Sequence, residues 1–331
     1  MLHGHGDDIH SYSDIRINFS SNIYSHFSHQ GLYEHLRGSV ALIANYPEPT
    51  ASSLEEALTA HNQLRRGEVM VTNGVTDAIY LIARTFHNYP SVITQPTFAE
   101  YADACRAAHP LVADSAESGG RLHWLCVPNN PTGEVTDKTA ILTQLRTSCR
   151  DIFVIDASYA AYTDTETITA REAVRYTNVL MLHSMTKDYG VPGLRLGYIT
   201  GDAALLSMLR TRQQPWSVNA LAIEAGHYLL AHDSEYSIPV AEILSERQRM
   251  ETTFSTMGIG THHSDSHMLV CRLPHGTAAD LKQYLVTQHG ILIRDASNFD
   301  TLTPQHFRIA VQTPEENTAL IDAVSQWLNM R

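Results

Sequence analysis

The chain has 331 residues, of which 23 are Lys or Arg and 35 are Asp or Glu, for a formal net charge of −12. That balance excludes a general affinity for nucleic acid or anionic membranes, so any arginine that binds an anion must be locally placed. The length exceeds what one hydrophobic core usually fills, and a large domain with a smaller companion is expected.

In chain order, the N-terminal "MLHGHGDDIHSY" is polar and lacks the apolar centre of a secretory leader. His3, His5, Asp7, Asp8 and His10 carry ligand chemistry there, as does "THHSDSH" at 261–267, but neither stretch has the HExxH spacing that sets two ligands on one helical face. No metal site is expected. "SSLEEALTAHNQLRR" places Ser52 three residues before Glu55, a capping-box spacing, and predicts a helix that stops at Gly67. "EVMVT" follows as a strand. In "NGVTDAIYLIARTF" the residues Ile79, Ile82, Ala83 and Phe86 form an apolar stripe at helical spacing.

Strand "SVIT", helix "TFAEYADACRAA", strand "LHWLCV" and helix "DKTAILTQLRTSC" continue the alternation. "DIFVID" and "NVLMLHS" are apolar enough to be central strands buried on both faces, as a parallel sheet requires. The expected architecture is α/β, a three-layer, mainly parallel sheet covered by helices. Past Pro215 the strand signals thin out and longer helical stretches begin. The expected division is a large domain over 46–225 and a smaller α+β domain built from an N-terminal arm, 1–45, and 226–331. Cys105, Cys126, Cys149 and Cys271 show no CxxC spacing and read as reduced thiols. No apolar run approaches the roughly 20 residues of a membrane-spanning helix, so a soluble cytoplasmic protein is expected.

Polar residues interrupt this pattern at one topological place, the carboxyl ends of the strands. They are Asn73 and Gly74, the "PNNPTG" loop, Asp156, and Ser184 to Lys187. Ligands of open parallel sheets bind there, where loops from separate strands converge. Each residue has two readings. The "NG" pair is a plain turn or a helix N-terminus that cradles a phosphate. Asp156 is half of a structural salt bridge or the partner of a protonated heteroaromatic nitrogen. Lys187 is a solvated loop lysine or an amine whose pKa is lowered by desolvation and nearby positive charge, so that it forms a Schiff base.

"SMTKDYGVPGLRLGY", with Lys187 and Arg195 eight apart, is preceded in order by "VPNNPTG" and "IDASYAAY", and the correspondence runs from "NFSSN" near 20 to "FRIAV" near 309. This ordered set resembles the fold type I, pyridoxal-phosphate-dependent aminotransferase family. The resemblance implies pyridoxal 5′-phosphate as cofactor, held covalently by Lys187 and with its ring nitrogen kept protonated by Asp156. It further implies that Asn130 and Tyr159 hydrogen-bond the ring's phenolic oxygen. Gly74, Val75, Ser184, Thr186 and Arg195 would surround the phosphate. Phe98 occupies a position where the family often stacks a tyrosine on the ring; stacking survives without the hydroxyl. Tyr46 matches a tyrosine that reaches the neighbouring subunit's phosphate, which implies a homodimer. The segment "NIYSHF" departs from a proline-containing run in many relatives.

Two branches share this pattern, histidinol-phosphate aminotransferases and threonine-phosphate decarboxylases of the cobalamin pathway. The tail "LIRDASNFDTLTPQHFRIAV" and the early "HGDD", from His5, are more similar to the second. By that resemblance Arg308 grips the substrate carboxylate, Arg294, His5 and Asn22 hold its phosphate, and Asn130 borders it. Arg294 also reads as a surface ion pair, because Asp295 adjoins it. The expected reaction is decarboxylation of L-threonine O-3-phosphate to (R)-1-aminopropan-2-yl phosphate. The alternatives are an aminotransferase acting on histidinol phosphate or a related small phosphorylated amine, and a non-catalytic protein that kept the fold.

Overall fold

The structure is a computed structural model and describes residues 8–108 and 120–330. His3, His5 and Asp7 lie outside the described residues. An arm comes first, with strand β1 (Ile17–Asn18) and helix α1 (Gln30–Ser39). Helix α2 (Ser52–His61) leads into β2 (Val69–Thr72), α3 (Gly74–Thr85), β3 (Ser91–Ile93), α4 (Glu100–Ala108) and β4 (Leu122–Cys126). Then come α5 (Lys138–Thr147), β5 (Ile152–Asp156), α6 (Ala170–Ala173), β6 (Val179–His183), α7 (Met185–Asp188) and β7 (Gly197–Gly201).

These six strands from β2 to β7 form one sheet in the order β2-β7-β6-β5-β4-β3. Strands β3 to β6 are parallel, and β7 runs antiparallel to both its neighbours, β6 and β2. Strand β7 was not anticipated, because glycine at both of its ends weakens the strand signal. Packing explains Gly197: a Cβ there would lie 2.9 Å from the His183 carbonyl oxygen. Every residue of β5 and the first four of β6 are buried, as their apolar runs implied, and so is every residue of β2. The α3 stripe of Ile79, Ile82, Ala83 and Phe86 is buried against this sheet, each large side chain contributing about 1.5–3 kcal/mol by leaving water.

The start of α2 differs from its expectation. Ala51 is the N-cap, in the left-handed region, and Ser52 is already helical. Glu48 accepts from both the Ser52 hydroxyl and the Ser53 N–H and so does the capping. Glu55 faces inward, where it accepts from Val71 N–H and from both terminal nitrogens of Arg210. A tertiary ion pair has outcompeted the local box. The helix also ends at His61, short of Gly67.

The C-terminal part contains α8 (Ala203–Arg210), α9 (Ala220–Ala231), α10 (Val240–Thr256), β8 (Gly260–Thr261), β9 (Met268–Arg272) and α11 (Ala278–Tyr284). It closes with β10 (Ile291–Leu292), β11 (Arg294–Asp295), β12 (His306–Ala310) and α12 (Pro314–Asn329). Strands β11-β12-β9-β8 make a four-stranded antiparallel sheet, packed over its own core of Phe254, Phe307, Leu320 and Trp327. The arm joins this second core: β1 pairs parallel with β10, and Phe19 is buried among the same residues. Among the described residues no helix is long and apolar enough to cross a membrane.

Candidate active site

A cavity of about 750 Å³ opens where the carboxyl ends of β2, β4, β5 and β6 face the arm and the β11–β12 pair. It brings together Asn22, Val75, Phe98, Asn130, Asp156, Tyr159, Ser184, Thr186, Lys187, Arg195, Arg294 and Arg308. Residues separated by up to 286 positions thus share one wall-to-wall site, as loops at sheet ends permit. Gly74 lies just behind Arg195. Tyr46 is not in the lining; it is 85% exposed, with its ring 5.6 Å from that of Trp216. His5 lies outside the described residues.

Asp156 ends β5 and is 4% exposed. The Tyr101 hydroxyl donates to its Oδ2 at 2.7 Å and the Ser158 N–H to its Oδ1 at 2.9 Å. Burial pushes the Asp156 carboxyl up, while the hydrogen bonds from Ser158 and Tyr101 and, to a smaller extent, the charge of Lys187 pull the other way. The salt bridge considered for Asp156 is therefore replaced by two neutral donors. Tyr101 is fully buried, stacked on Trp124 at 5.2 Å and edge-on to Phe98 at 5.6 Å.

Lys187 sits on α7, with its Nζ 5.7 Å from the centre of the Tyr159 ring. The Tyr159 hydroxyl accepts from Asn22 Nδ2 at 3.0 Å, and burial keeps that phenol protonated. From β12, Arg308, 2% exposed, donates from Nη1 to Asn130 Oδ1 at 2.8 Å and from Nη2 to the Ser20 carbonyl at 2.5 Å. Arg294 is directly opposite Arg308 in the strand register. It donates to Asn298 Oδ1 at 2.7 Å and lies 5.5 Å from the Phe299 ring centre.

Arg294 is not a surface residue: it is only 7% exposed and lines the cavity. Asp295 turns to its own loop and accepts from Ser297 N–H. Adjacent side chains on a strand point to opposite faces, so Arg294 can line the cavity while Asp295 bonds to its loop. Burial pulls the Arg294 pKa down, the sign of a cation held away from water. Two guanidinium groups in one buried wall favour an anionic ligand, which restores what desolvation removed.

At the other end, α3 begins at Gly74 with φ +78°. A Cβ on Gly74 would come 2.8 Å from Arg195 Nη2, so the guanidinium rests against bare backbone at a helix N-terminus. Ser184 and Thr186 are buried and line the same end. These donors fit a phosphate. Together with the Asp156 carboxylate and Lys187 in the same lining, they fit the pyridoxal phosphate that the motifs imply. Buried Asn22 Oδ1 has no hydrogen-bond partner, which leaves a polar atom in the lining for a ligand to meet.

Several contributors were not legible beforehand: Tyr101, Ser158, Ser20, Asn298 and Phe299. Tyr101 follows Phe98 at helical spacing and reads as an ordinary core aromatic. Ser20 acts through its carbonyl, which no side-chain pattern reveals. Among the described residues no group of three or more His, Cys, Asp or Glu could hold a metal. Within "THHSDSH", His263 pairs with Asp265 at 3.0 Å, and His267 is buried against Tyr162.

The family model for class I and II aminotransferases matches residues 14–324. The solved structure of an L-threonine-O-3-phosphate decarboxylase from Porphyromonas gingivalis is 34% identical, with a TM-score of 0.89 and coverage of 95% of this chain and 99% of that one. Salmonella typhimurium threonine-phosphate decarboxylase is 27% identical over 94% of this chain and 91% of its own length. A histidinol-phosphate aminotransferase from Symbiobacterium thermophilum is 28% identical over 87% of this chain and 84% of its own.

Proposed function

This chain belongs to the class I and II aminotransferases of the fold type I architecture, and on that premise we propose that it decarboxylates L-threonine O-3-phosphate to (R)-1-aminopropan-2-yl phosphate, a reaction of cobalamin biosynthesis. Its cofactor is pyridoxal 5′-phosphate. Bound at Lys187, the cofactor supplies an electron sink for the pair released when a bond at the substrate's α-carbon breaks.

The observation that carries the proposal is the register pair Arg294 and Arg308, two buried guanidinium groups lining one cavity with Lys187. Threonine phosphate presents two anions, a carboxylate and a phosphate. Arg308 would take the carboxylate, while Arg294 and Asn22 would take the phosphate. Asp156 would hold a proton on the cofactor's ring nitrogen, and Lys187 would return a proton to the α-carbon after carbon dioxide leaves. Only a bond standing perpendicular to the conjugated ring breaks readily, so the grip on the carboxylate selects which bond that is. The similarity to the Porphyromonas gingivalis decarboxylase supports this reading.

Transamination is the second reading. Histidinol phosphate has no carboxylate, yet the glutamate that commonly donates the amino group in transamination has two, and these would engage the same arginines. The Symbiobacterium thermophilum relative supports it. Incubation with threonine phosphate, with detection of carbon dioxide and no need for 2-oxoglutarate, is the expected result. Turnover that requires 2-oxoglutarate and releases no carbon dioxide would reject the proposal. A chain that binds no cofactor, without an absorbance band that borohydride removes through Lys187, would point instead to a non-catalytic protein.

The proposal includes a cytoplasmic homodimer. Tyr46, Val40, Leu42, Ile43 and Trp216 are exposed large apolar side chains, and a second copy covering them would let Tyr46 reach the partner's phosphate end. Sedimentation of the purified chain tests this.

A further inference from the structure

Tyr162 ends the short turn of helix 160–162 that follows β5 and is 1% exposed. Its hydroxyl serves two backbones at once. It donates to the carbonyl of Lys187 at 2.7 Å and accepts from the N–H of Tyr24 at 2.8 Å. Burial keeps the phenol protonated, so the donation persists over the working pH range. The His267 ring stacks on Tyr162 with centroids 3.9 Å apart and planes 26° apart, which fixes where the hydroxyl points. His267 is itself neutral: burial, with the charges of Arg308 and Lys187, pushes it down to about 3.

The segment of arm that Tyr162 holds is the one that carries Asn22. Its backbone is fastened on either side of that residue, at the Ser20 carbonyl by Arg308 and at the Tyr24 N–H by Tyr162. Between these ties Asn22 Nδ2 donates to the Tyr159 hydroxyl at 3.0 Å. The Arg308 tie uses a guanidinium that also faces the cavity, whereas the Tyr162 tie lies behind the lining. One hydroxyl therefore joins the arm to the peptide of the lysine.

We propose that Tyr162 is a positioning residue that sets Asn22 and Lys187 in register with each other through this bifunctional hydroxyl. The proposal rests on the functional reading of Asn22 and Lys187 given above. Without the hydroxyl, the arm keeps its β1–β10 pairing, its buried Phe19 and the bonds that Arg308 and Gln312 make to the Ser20 and Ile23 carbonyls, but loses the tie at Tyr24 that leads to the lysine peptide. Asn22 then samples positions away from the Tyr159 hydroxyl, while the lysine helix loses a fixed carbonyl.

The test is Tyr162→Phe, which retains the ring and its stacking on His267, combined with Asn22→Ala in a double-mutant cycle on the cofactor-loaded chain. Tyr162→Phe is expected to lower kcat/KM about tenfold, the equivalent of one to two buried hydrogen bonds, mainly through KM. Once Asn22 is already alanine, the same change should cost less than threefold, because coupled residues do not add. Amide exchange at Tyr24, measured by mass spectrometry without substrate, should quicken about tenfold in Tyr162→Phe, with exchange in β5 unchanged. Additive losses in the cycle, or unchanged exchange at Tyr24, would overturn the proposal. If the wild-type chain turns over neither phosphorylated substrate, the functional reading fails instead. The cycle is then read on the dissociation constant for pyridoxal phosphate, and together with the exchange result it still decides for or against Tyr162.

Discussion

Tyr101 donates its hydroxyl proton to Asp156 across 2.7 Å, from a ring stacked on Trp124. The contact opposes burial, which alone would favour a neutral carboxyl at the position where the proposed reaction needs a carboxylate. Tyr101→Phe keeps the stacked ring and removes only the donor. A hydrogen bond to a charged group is worth roughly 1.5–3 kcal/mol, so without it Asp156 should ionise at higher pH. The acid limb of the pH–kcat profile should move to higher pH. An unmoved limb would mean that the Ser158 N–H suffices.

Gly74→Ala tests the phosphate end. Alanine at φ +78° is strained by about 1 kcal/mol, and its Cβ would sit 2.8 Å from Arg195 Nη2. The guanidinium must move off the helix start. Affinity for pyridoxal phosphate, measured by fluorescence titration, should fall at least tenfold while the melting temperature of the apo chain drops by only a few degrees.

Arg308→Lys retains the charge and loses the fork. An ammonium cannot reach Asn130 Oδ1, the Ser20 carbonyl and a substrate carboxylate together. The kcat/KM for threonine phosphate should fall about a hundredfold, the equivalent of roughly 3 kcal/mol. Arg294→Lys should spare unphosphorylated threonine relative to its phosphate ester. A steady-state comparison of the two substrates separates the two arginines.

Asp188 bears on stability rather than chemistry. It lines a second cavity of about 350 Å³ with Asp233, Tyr189 and Tyr198, and the Tyr189 hydroxyl donates to Asp233 at 2.7 Å. Burial, together with the charge of Asp233, pushes the Asp188 carboxyl up to about 8. The unfolded chain ionises it near 3.8. Between those values the unfolded state holds fewer protons, so stability falls as pH rises through the window and levels off above it. Asp188→Asn removes that dependence. Its melting temperature should exceed that of the wild type by a margin that grows from pH 4 to pH 8, as calorimetry would show.

Much of the large sheet was legible because apolar runs alternate with amphipathic stretches, and because polar residues fall where such runs end. Asp156, Asn130, Ser184 and Lys187 were found on that ground. The strand at Gly197–Gly201 escaped because its glycines serve close packing against β6, a demand set by a neighbour far away in sequence. Glu55 misled for the converse reason: a locally correct capping pattern gave way to Arg210, 155 residues on.

The sequence by itself determined the alternation of strands and helices, the residue types for holding a phosphate and a lysine-bound cofactor, and the family to which the chain belongs. These depend on periodicity and on local motifs, which a chain carries in its order. Only the tertiary structure decided that Arg294 is buried opposite Arg308, that Tyr101 rather than a cation holds Asp156, and that Tyr162 ties the arm to Lys187. Each of those outcomes is set by strand register and by which face of an element is covered. Such facts arise from packing between distant segments and have no signature at any one place along the chain.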